Sequence, residues 1–273
     1  MKYKFVFDES FAENNFFQLT TEEAILVAVA VSGKHNVILH GSEPERLVKA
    51  IKSLSMGTKP IETVDKDVSL TRLMGDNSTF EPGAFILANN GVLVVNDLES
   101  MPWVNKTFLK SILNNKKVIL SREGVSKEFP SNFQLVATIN PYLIVSCPGG
   151  INTYRDIFNQ CGIIYKCSST SSRMKFTRSE LMDVVRNTNA ARRHLDADFM
   201  EDCDVSVREQ VNFTTGAWDF FKREVLDNEQ LKDSAWEIAG VAKTLRFYLG
   251  NIMTKIKDVE CAIKYHSVAD ILQ

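Results

Sequence analysis

The sequence predicts an α/β fold, a parallel sheet sandwiched by helices, followed by a helical region. Three observations predict it. Two apolar, β-branched runs, 92–95 and 135–139, show no polar alternation, as strands covered on both faces read. Strand-like and helix-like segments alternate up to residue 168, and helix patterns alone follow. Each of the two runs ends in polar residues, Asn96 and Asp97 after the first and Asn140 after the second. That carboxyl edge is where ligands bind in open α/β sheets.

Taken in order, residues 1–19 mix aromatics with acids and asparagines and read as an N-terminal arm or an extra strand. Thr20-Thr-Glu-Glu23 starts a helix, with a hydroxyl as cap and carboxylates in the first turn, and the helix stops at Ser32-Gly33. A short buried strand follows from His35 to Gly41, and then a helix within residues 42–54. The polar stretch 56–76 reads as loop with one short element inside it, 68–75. Apolar residues Trp103, Val104, Phe108, Leu109, Ile112 and Leu113 make a helical stripe. After the turn at 114–117, residues 118–120 and the polar run up to Phe133 fit a β-hairpin at about 120–133.

Cys147-Pro-Gly-Gly150 signals a turn, 154–162 a short helix, and 163–165 a strand. The hydroxyl-rich run 168–172 marks a boundary, so that 20–168 form the α/β core and 173–273 a helical region. Its helices are expected at 178–194, 205–211, 216–226, 234–249 and 257–271, with Trp218, Phe220, Phe221 and Trp236 as core aromatics.

Composition narrows the function. The 273 residues suffice for a sizeable core, and 32 basic against 34 acidic residues give a formal charge of −2, so nucleic-acid binding would need a local patch. The five cysteines are odd in number and contain no Cys-x-x-Cys pair, which points to free thiols in a reducing compartment. His35, His40, His194 and His266 have no metal-ligand spacing, and no metal site is expected. The first residues lack an apolar signal core and the apolar run 24–31 is too short to span a bilayer. A cytoplasmic location without membrane contact is the expectation.

An ordered series of motifs carries a resemblance. Glu81-Pro-Gly-Ala precedes the run Leu87-Ala-Asn-Asn-Gly-Val-Leu-Val-Val-Asn-Asp-Leu98. Val118-Ile-Leu-Ser-Arg-Glu-Gly124 is then followed by Phe129-Pro-Ser-Asn-Phe-Gln-Leu-Val-Ala-Thr-Ile-Asn-Pro141. This series resembles the AAA+ ATPase module of the magnesium-chelatase and ComM group, and more distantly the MCM helicases. The resemblance implies a P-loop-like core with an inserted hairpin, a helical lid at 173–273, and ring-type oligomers.

The chemical positions of that family are altered here. A working phosphate loop needs Gly-x-x-x-x-Gly-Lys-[Ser/Thr], with a lysine for the phosphates and a hydroxyl for Mg²⁺. The sequence keeps Gly41 but has Arg46, Leu47 and Val48 at the other three positions, with Glu43 and Glu45 adding negative charge. Lys49 falls about 200° around the helix from the required place. At the Walker B position the family's Asp-Glu is Asn96-Asp97, which removes one charge near the metal and shortens the other acid. Asn140 matches sensor 1, Gln160 stands at the arginine-finger position with Arg155 five residues earlier, and Asp233 lies near the sensor-2 position.

These changes lead to the expectation of a degenerate, non-hydrolysing AAA+ protein with no cofactor. It would act as a structural or regulatory subunit of an oligomer, with an active AAA+ subunit as one candidate partner. The alternative is an ATP-driven motor of helicase or chelatase type acting on DNA or protein, which would require ATP and Mg²⁺. Lys116, Lys117, Arg122 and Lys127 in and beside the hairpin, set against Glu123 and Glu128, leave two readings of that element. It is either a channel face for a polyanion or a solvated tip.

Overall fold

The computed structural model describes residues 16–56, 59–145, 152–169, 172–195, 211–249, 251 and 253–266. In chain order β1 (Phe16–Leu19) leads into α1 (Thr21–Gly33), β2 (Val37–Gly41), α2 (Glu45–Ser55), β3 (Ile61–Val64) and α3 (Leu70–Met74). The small strands β4 (Gly75–Asp76) and β5 (Glu81–Pro82) precede α4 (Ala84–Leu87), β6 (Val92–Val95) and α5 (Trp103–Asn115). Next come β7 (Lys117–Arg122), β8 (Val125–Pro130), β9 (Gln134–Thr138), α6 (Pro141–Val145), α7 (Asn152–Phe158) and β10 (Ile163–Cys167). The chain continues through β11 (Met174–Thr177), α8 (Arg178–Leu195), α9 (Thr215–Phe221), α10 (Ala235–Tyr248) and α11 (Ile256–Tyr265).

Five strands form one parallel sheet in the order β10-β2-β9-β6-β3. Strand residues alternate faces, and each face builds a core. Val37, Leu39, Val92, Val94 and Val136 point to one side, where Leu26 and Val27 of α1 and Leu47 and Ile51 of α2 pack. Ile38, Leu93, Val95, Leu135 and Ala137 point to the other, against Phe85, Leu109 and Ile157. Both faces are covered, which is why neither run shows polar alternation and the one polar side chain, Thr138, is itself buried.

The first core is shared with the helices after residue 178: Leu181, Ile238, Ala242 and Val259 are buried in it together with α1. This explains why α1 is apolar on almost its whole circumference, with residues 26 to 31 all buried. Its start is a capping box: Thr20 Oγ accepts from the Glu23 amide at 3.1 Å and Glu23 accepts from the Thr20 amide at 2.9 Å.

Of residues 1–19, read as an N-terminal arm or an extra strand, Phe16–Leu19 form the strand β1. It pairs antiparallel with β11 in a separate two-stranded sheet, and the remainder of the arm lies outside the described residues. Four other expectations need correction. The stretch 56–76, expected to be loop apart from one short element at 68–75, also contains β3, an edge strand of the main sheet, while the short element is α3 running into β4. Glu62 and Thr63 give β3 no apolar signature because an edge strand buries only part of its surface.

Of the apolar stripe on α5, Trp103 and Val104 are exposed, and the buried face is Leu109 with Ile112. The hairpin begins at Lys117, three residues earlier than expected, because Lys116 takes a left-handed conformation that ends α5 and starts β7 at once. Trp236, expected in the core, is 51% exposed. Phe221 is the aromatic of that group that is fully buried.

The turn at 147–150, the helix at 205–210 and the extension of the last helix beyond 266 lie outside the described residues. Among the described residues Cys161, Cys167 and Cys261 are free thiols, no group of three candidate ligands could hold a metal, and no helix is long and apolar enough to cross a membrane.

Candidate functional site

The carboxyl edge of the sheet collects the ends of β2, β9 and β6, and with them Gly41, Asn140, Asn96 and Asp97. Gly41 has φ +94°, where L side chains are strained, and a β-carbon there would sit 2.6 Å from the carbonyl oxygen of Cys167 on β10. The loop then folds against β10 through a hydrogen bond from the Ser42 amide to the same carbonyl at 3.0 Å. A phosphate cradle uses free amides at the helix start. Here Pro44 has none, and the amides of Arg46, Leu47 and Val48 bond back to the carbonyls of Glu43 and Pro44.

Leu47 and Val48, at the lysine and hydroxyl positions of the phosphate loop, are buried in the first core. Arg46, at the second glycine position, turns inward and forms a bidentate ion pair with Glu23, whose side chain is fully buried. It also donates to the carbonyls of Gln18 at 3.3 Å and Ser168 at 3.5 Å. Burial opposes the Arg46 charge, yet the hydrogen bonds and charge of Glu23 outweigh it and push the guanidinium above its ordinary range. Glu43 is held at 2.7 Å by Arg173 from the segment after β10, so the acid that sequence reading placed inside the loop is neutralised from outside it. Lys49 is exposed and enters no ion pair among the described residues.

At the end of β6, Asn96 donates from Nδ2 to Asp65 Oδ1 at 2.8 Å. Asp97 adopts the left-handed conformation, φ 53° and ψ 54°, while its amide donates to Thr138 Oγ1 on β9 at 3.0 Å. The carboxylate of Asp97 is exposed. Asn140 is exposed too, and its Oδ1 accepts from the Tyr142 amide at 3.1 Å, so it caps the turn into α6.

Gln160 is not part of this edge. It precedes β10 at the amino end of the sheet, where its carbonyl accepts from Asn36 Nδ2 at 2.9 Å and its Nε2 donates to Asn114 Oδ1 at 2.6 Å. There it lines a cleft of about 440 Å³ with Lys110, Asp156, Asp233, Trp236 and Glu237. Lys110 and Asp156 form an ion pair, and Arg155 is exposed nearby. The Gln160 and Asp233 positions are thus brought together, away from the loop. Burial pushes the Glu237 carboxyl up to about 7.

The four hairpin cations do not converge. Lys117 pairs with Glu128 at 3.0 Å, Arg122 with the adjacent Glu123 at 3.3 Å, and Lys127 stacks over the Phe80 ring at 4.4 Å. Lys116 sits at the foot of the hairpin, beside another cavity. Glu23 and Arg173 are the residues that sequence reading missed at the loop. The only sign of Glu23 in the sequence was its place in the capping box, which says nothing of a partner 23 positions away.

A five-stranded parallel sheet with helices on both faces, a strand-to-helix loop closing over its carboxyl edge and a helical C-terminal region define a P-loop-type AAA+ module. The family model "Magnesium chelatase, subunit ChlI" matches residues 45–183, and the chain belongs to that family. It is similar to the competence protein ComM of Haemophilus influenzae, with 32% identity over 83 residues. The uncharacterized protein YifB of Escherichia coli is 31% identical over the same length, and that of Salmonella typhimurium 29%. Each match takes in 30% of this chain and 16% of the relative's length.

Proposed function

We propose that this chain is a non-hydrolysing member of its family that serves as a structural or regulatory subunit in an oligomeric assembly. One observation carries the reading. The three positions that should offer a glycine, a lysine and a hydroxyl to the nucleotide hold Arg46, bound to Glu23, and the buried Leu47 and Val48.

To admit a triphosphate the loop would have to break a buried ion pair and expose core side chains. Nothing in the altered sequence would then replace the phosphate-binding lysine. The changes at Asn96-Asp97 and Gln160 support the same reading, since they remove charge at the metal and finger positions and shorten the acid at the water position.

Calorimetric titration with ATP, with and without Mg²⁺, tests the proposal. The expected result is no heat of binding at nucleotide concentrations up to about tens of micromolar, where a dissociation constant of 10 μM would correspond to about 7 kcal/mol. Saturable binding in that range would overturn it. The assembly part of the reading is tested by sedimentation of the chain alone and mixed with a catalytically intact family member. A chain that stays monomeric in both cases removes the subunit role.

A further inference from the structure

Two guanidinium groups from distant parts of the chain meet beside the loop after Gly41. Arg46 stands in the first turn of α2, and Arg173 in the segment between β10 and β11. Both donate to one atom, the carbonyl oxygen of Ser168, from Arg46 Nη2 at 3.5 Å and from Arg173 Nη2 at 3.4 Å. The shared acceptor holds the two side chains next to each other, and only 14% and 21% of them is exposed. Glu23 takes Nη1 and Nη2 of Arg46, so it is committed to that one cation.

The group that faces both arginines is already an anion. Glu43 Oε2 accepts from Arg173 Nη1 at 2.7 Å and lies 4.0 Å from Arg46 Nε. Its backbone is left-handed, with φ 52°, a conformation that strains glutamate and suits glycine or asparagine. One carboxylate oxygen does not use up the donors around it. Arg46 Nε and Arg173 Nε are both buried and have no hydrogen-bond partner among the described residues, a costly state for groups that can only donate.

We propose that Arg46 and Arg173 form an oxyanion site and that Glu43 is its built-in ligand, which closes the site to anions from solution. The proposal rests on the reading of this loop as one that does not take up nucleotide, and it supplies a reason: the loop brings its own anion. Glu43 is the exchangeable member of the cluster, because 63% of its side chain is exposed while that of Glu23 is fully buried. Without Glu43, Arg173 loses its ion-pair partner beside two buried N–H groups. A small tetrahedral oxyanion has enough acceptor oxygens to meet that donor set, in charge-assisted hydrogen bonds of the kind guanidinium groups make best.

Thermal unfolding in rising sodium sulfate, with sodium chloride keeping the ionic strength constant, tests the proposal. Glu43→Gly and Glu43→Asn both remove the carboxylate and both suit a left-handed backbone. Each should bind sulfate about ten-fold more tightly than wild type, so that at about ten times the variant's dissociation constant its Tm rises by about 3 °C more than that of wild type. The double variant Glu43→Gly with Arg173→Met should lose this gain. Equal responses in wild type and both single variants would be a general salt effect and would overturn the site. A gain that survives the loss of Arg173, or no gain in either single variant up to about 50 mM sulfate, would overturn it as well.

The calorimetric titration with ATP keeps this proposal apart from the reading it rests on. Saturable ATP binding by wild type would show the loop open with Glu43 in place, and would sink the non-hydrolysing reading whatever sulfate does. A wild type that ignores ATP, together with Glu43 variants that ignore sulfate, overturns the role of Glu43 alone.

Discussion

The Arg46 guanidinium holds both carboxylate oxygens of Glu23 and so joins the first turn of α2 to the first turn of α1. Glu23 is fully buried and also closes the capping box of its own helix. A buried pair adds little net stability compared with apolar residues of equal volume, but removal of one partner strands the other's charge. Arg46→Ala should therefore cost about 3 kcal/mol in urea unfolding. The double variant Arg46→Met with Glu23→Gln should lose less than the two single changes together, because no charge is left behind. Additive losses would show that the two residues do not act as a pair.

Asp97 tests whether the end of β6 is shaped for chemistry or for a turn. Its left-handed backbone costs a non-glycine residue about 1 kcal/mol or more, and among the described residues its exposed carboxylate makes no hydrogen bond or ion pair that offsets this. Asp97→Gly should leave stability within about 1 kcal/mol of wild type, and Asp97→Val should cost about 1–2 kcal/mol. Phosphate release from ATP should be at background in wild type and in Asp97→Asn alike. A loss of release in Asp97→Asn would restore the motor alternative.

Glu237 makes stability depend on pH. Burial raises its folded pKa to about 7, while the unfolded chain releases the proton near the ordinary value of about 4.3. Between those values the native state binds the extra proton, so stability falls as pH rises, and the full cost stands above pH 7. Glu237→Gln should match wild type below about pH 4 and exceed it by roughly 1–3 kcal/mol at pH 8. Equal differences at pH 5 and pH 8, measured by chemical unfolding, would mean that the side chain is not titrating from a buried position.

The hairpin tip offers a gain. Glu123 and Gly124 both have positive φ, 50° and 79°, between the paired residues Arg122 and Val125. Two-residue turns of that hand favour Asn-Gly. Glu123→Asn should raise stability by about 0.5–1 kcal/mol, although it removes the surface contact with Arg122, which is worth little. A loss of stability would show that this contact matters more than the backbone.

The parallel sheet was legible because Val92 to Val95 and Leu135 to Ala137 are buried on both faces and carry no other signal. β3 was not, since Glu62 and Thr63 sit on an edge strand whose partner is on one side only. Periodicity placed α5 correctly but not its buried face. Trp103 and Val104 lie in the first turn on the face turned to solvent, while the polar Asn105 and Lys106 of the same turn are buried.

At the candidate site, sequence could register that glycine, lysine and hydroxyl were missing at 46–48. It could not show that Arg46 had acquired a function of its own, because that depends on Glu23, Gln18 and Ser168, brought together only by the fold. The placement of Gln160 on the opposite edge from Gly41 was equally invisible, since strand order is set by pairings between distant segments.

The position of β2 also governs the order in which the chain can become structured. This strand is complete at Gly41, but its two neighbours in the sheet are β9, which begins at Gln134, and β10, which begins at Ile163. During vectorial synthesis α1 and α2 can form while β2 still has neither edge covered, and such long-range pairing is slow. The β1–β11 sheet closes later still, because Phe16 to Leu19 must wait for Met174 to Thr177. Only then does Arg46 gain the ordered Gln18 carbonyl above it. The loop after Gly41 is thus completed only when the protein's own chain returns to it.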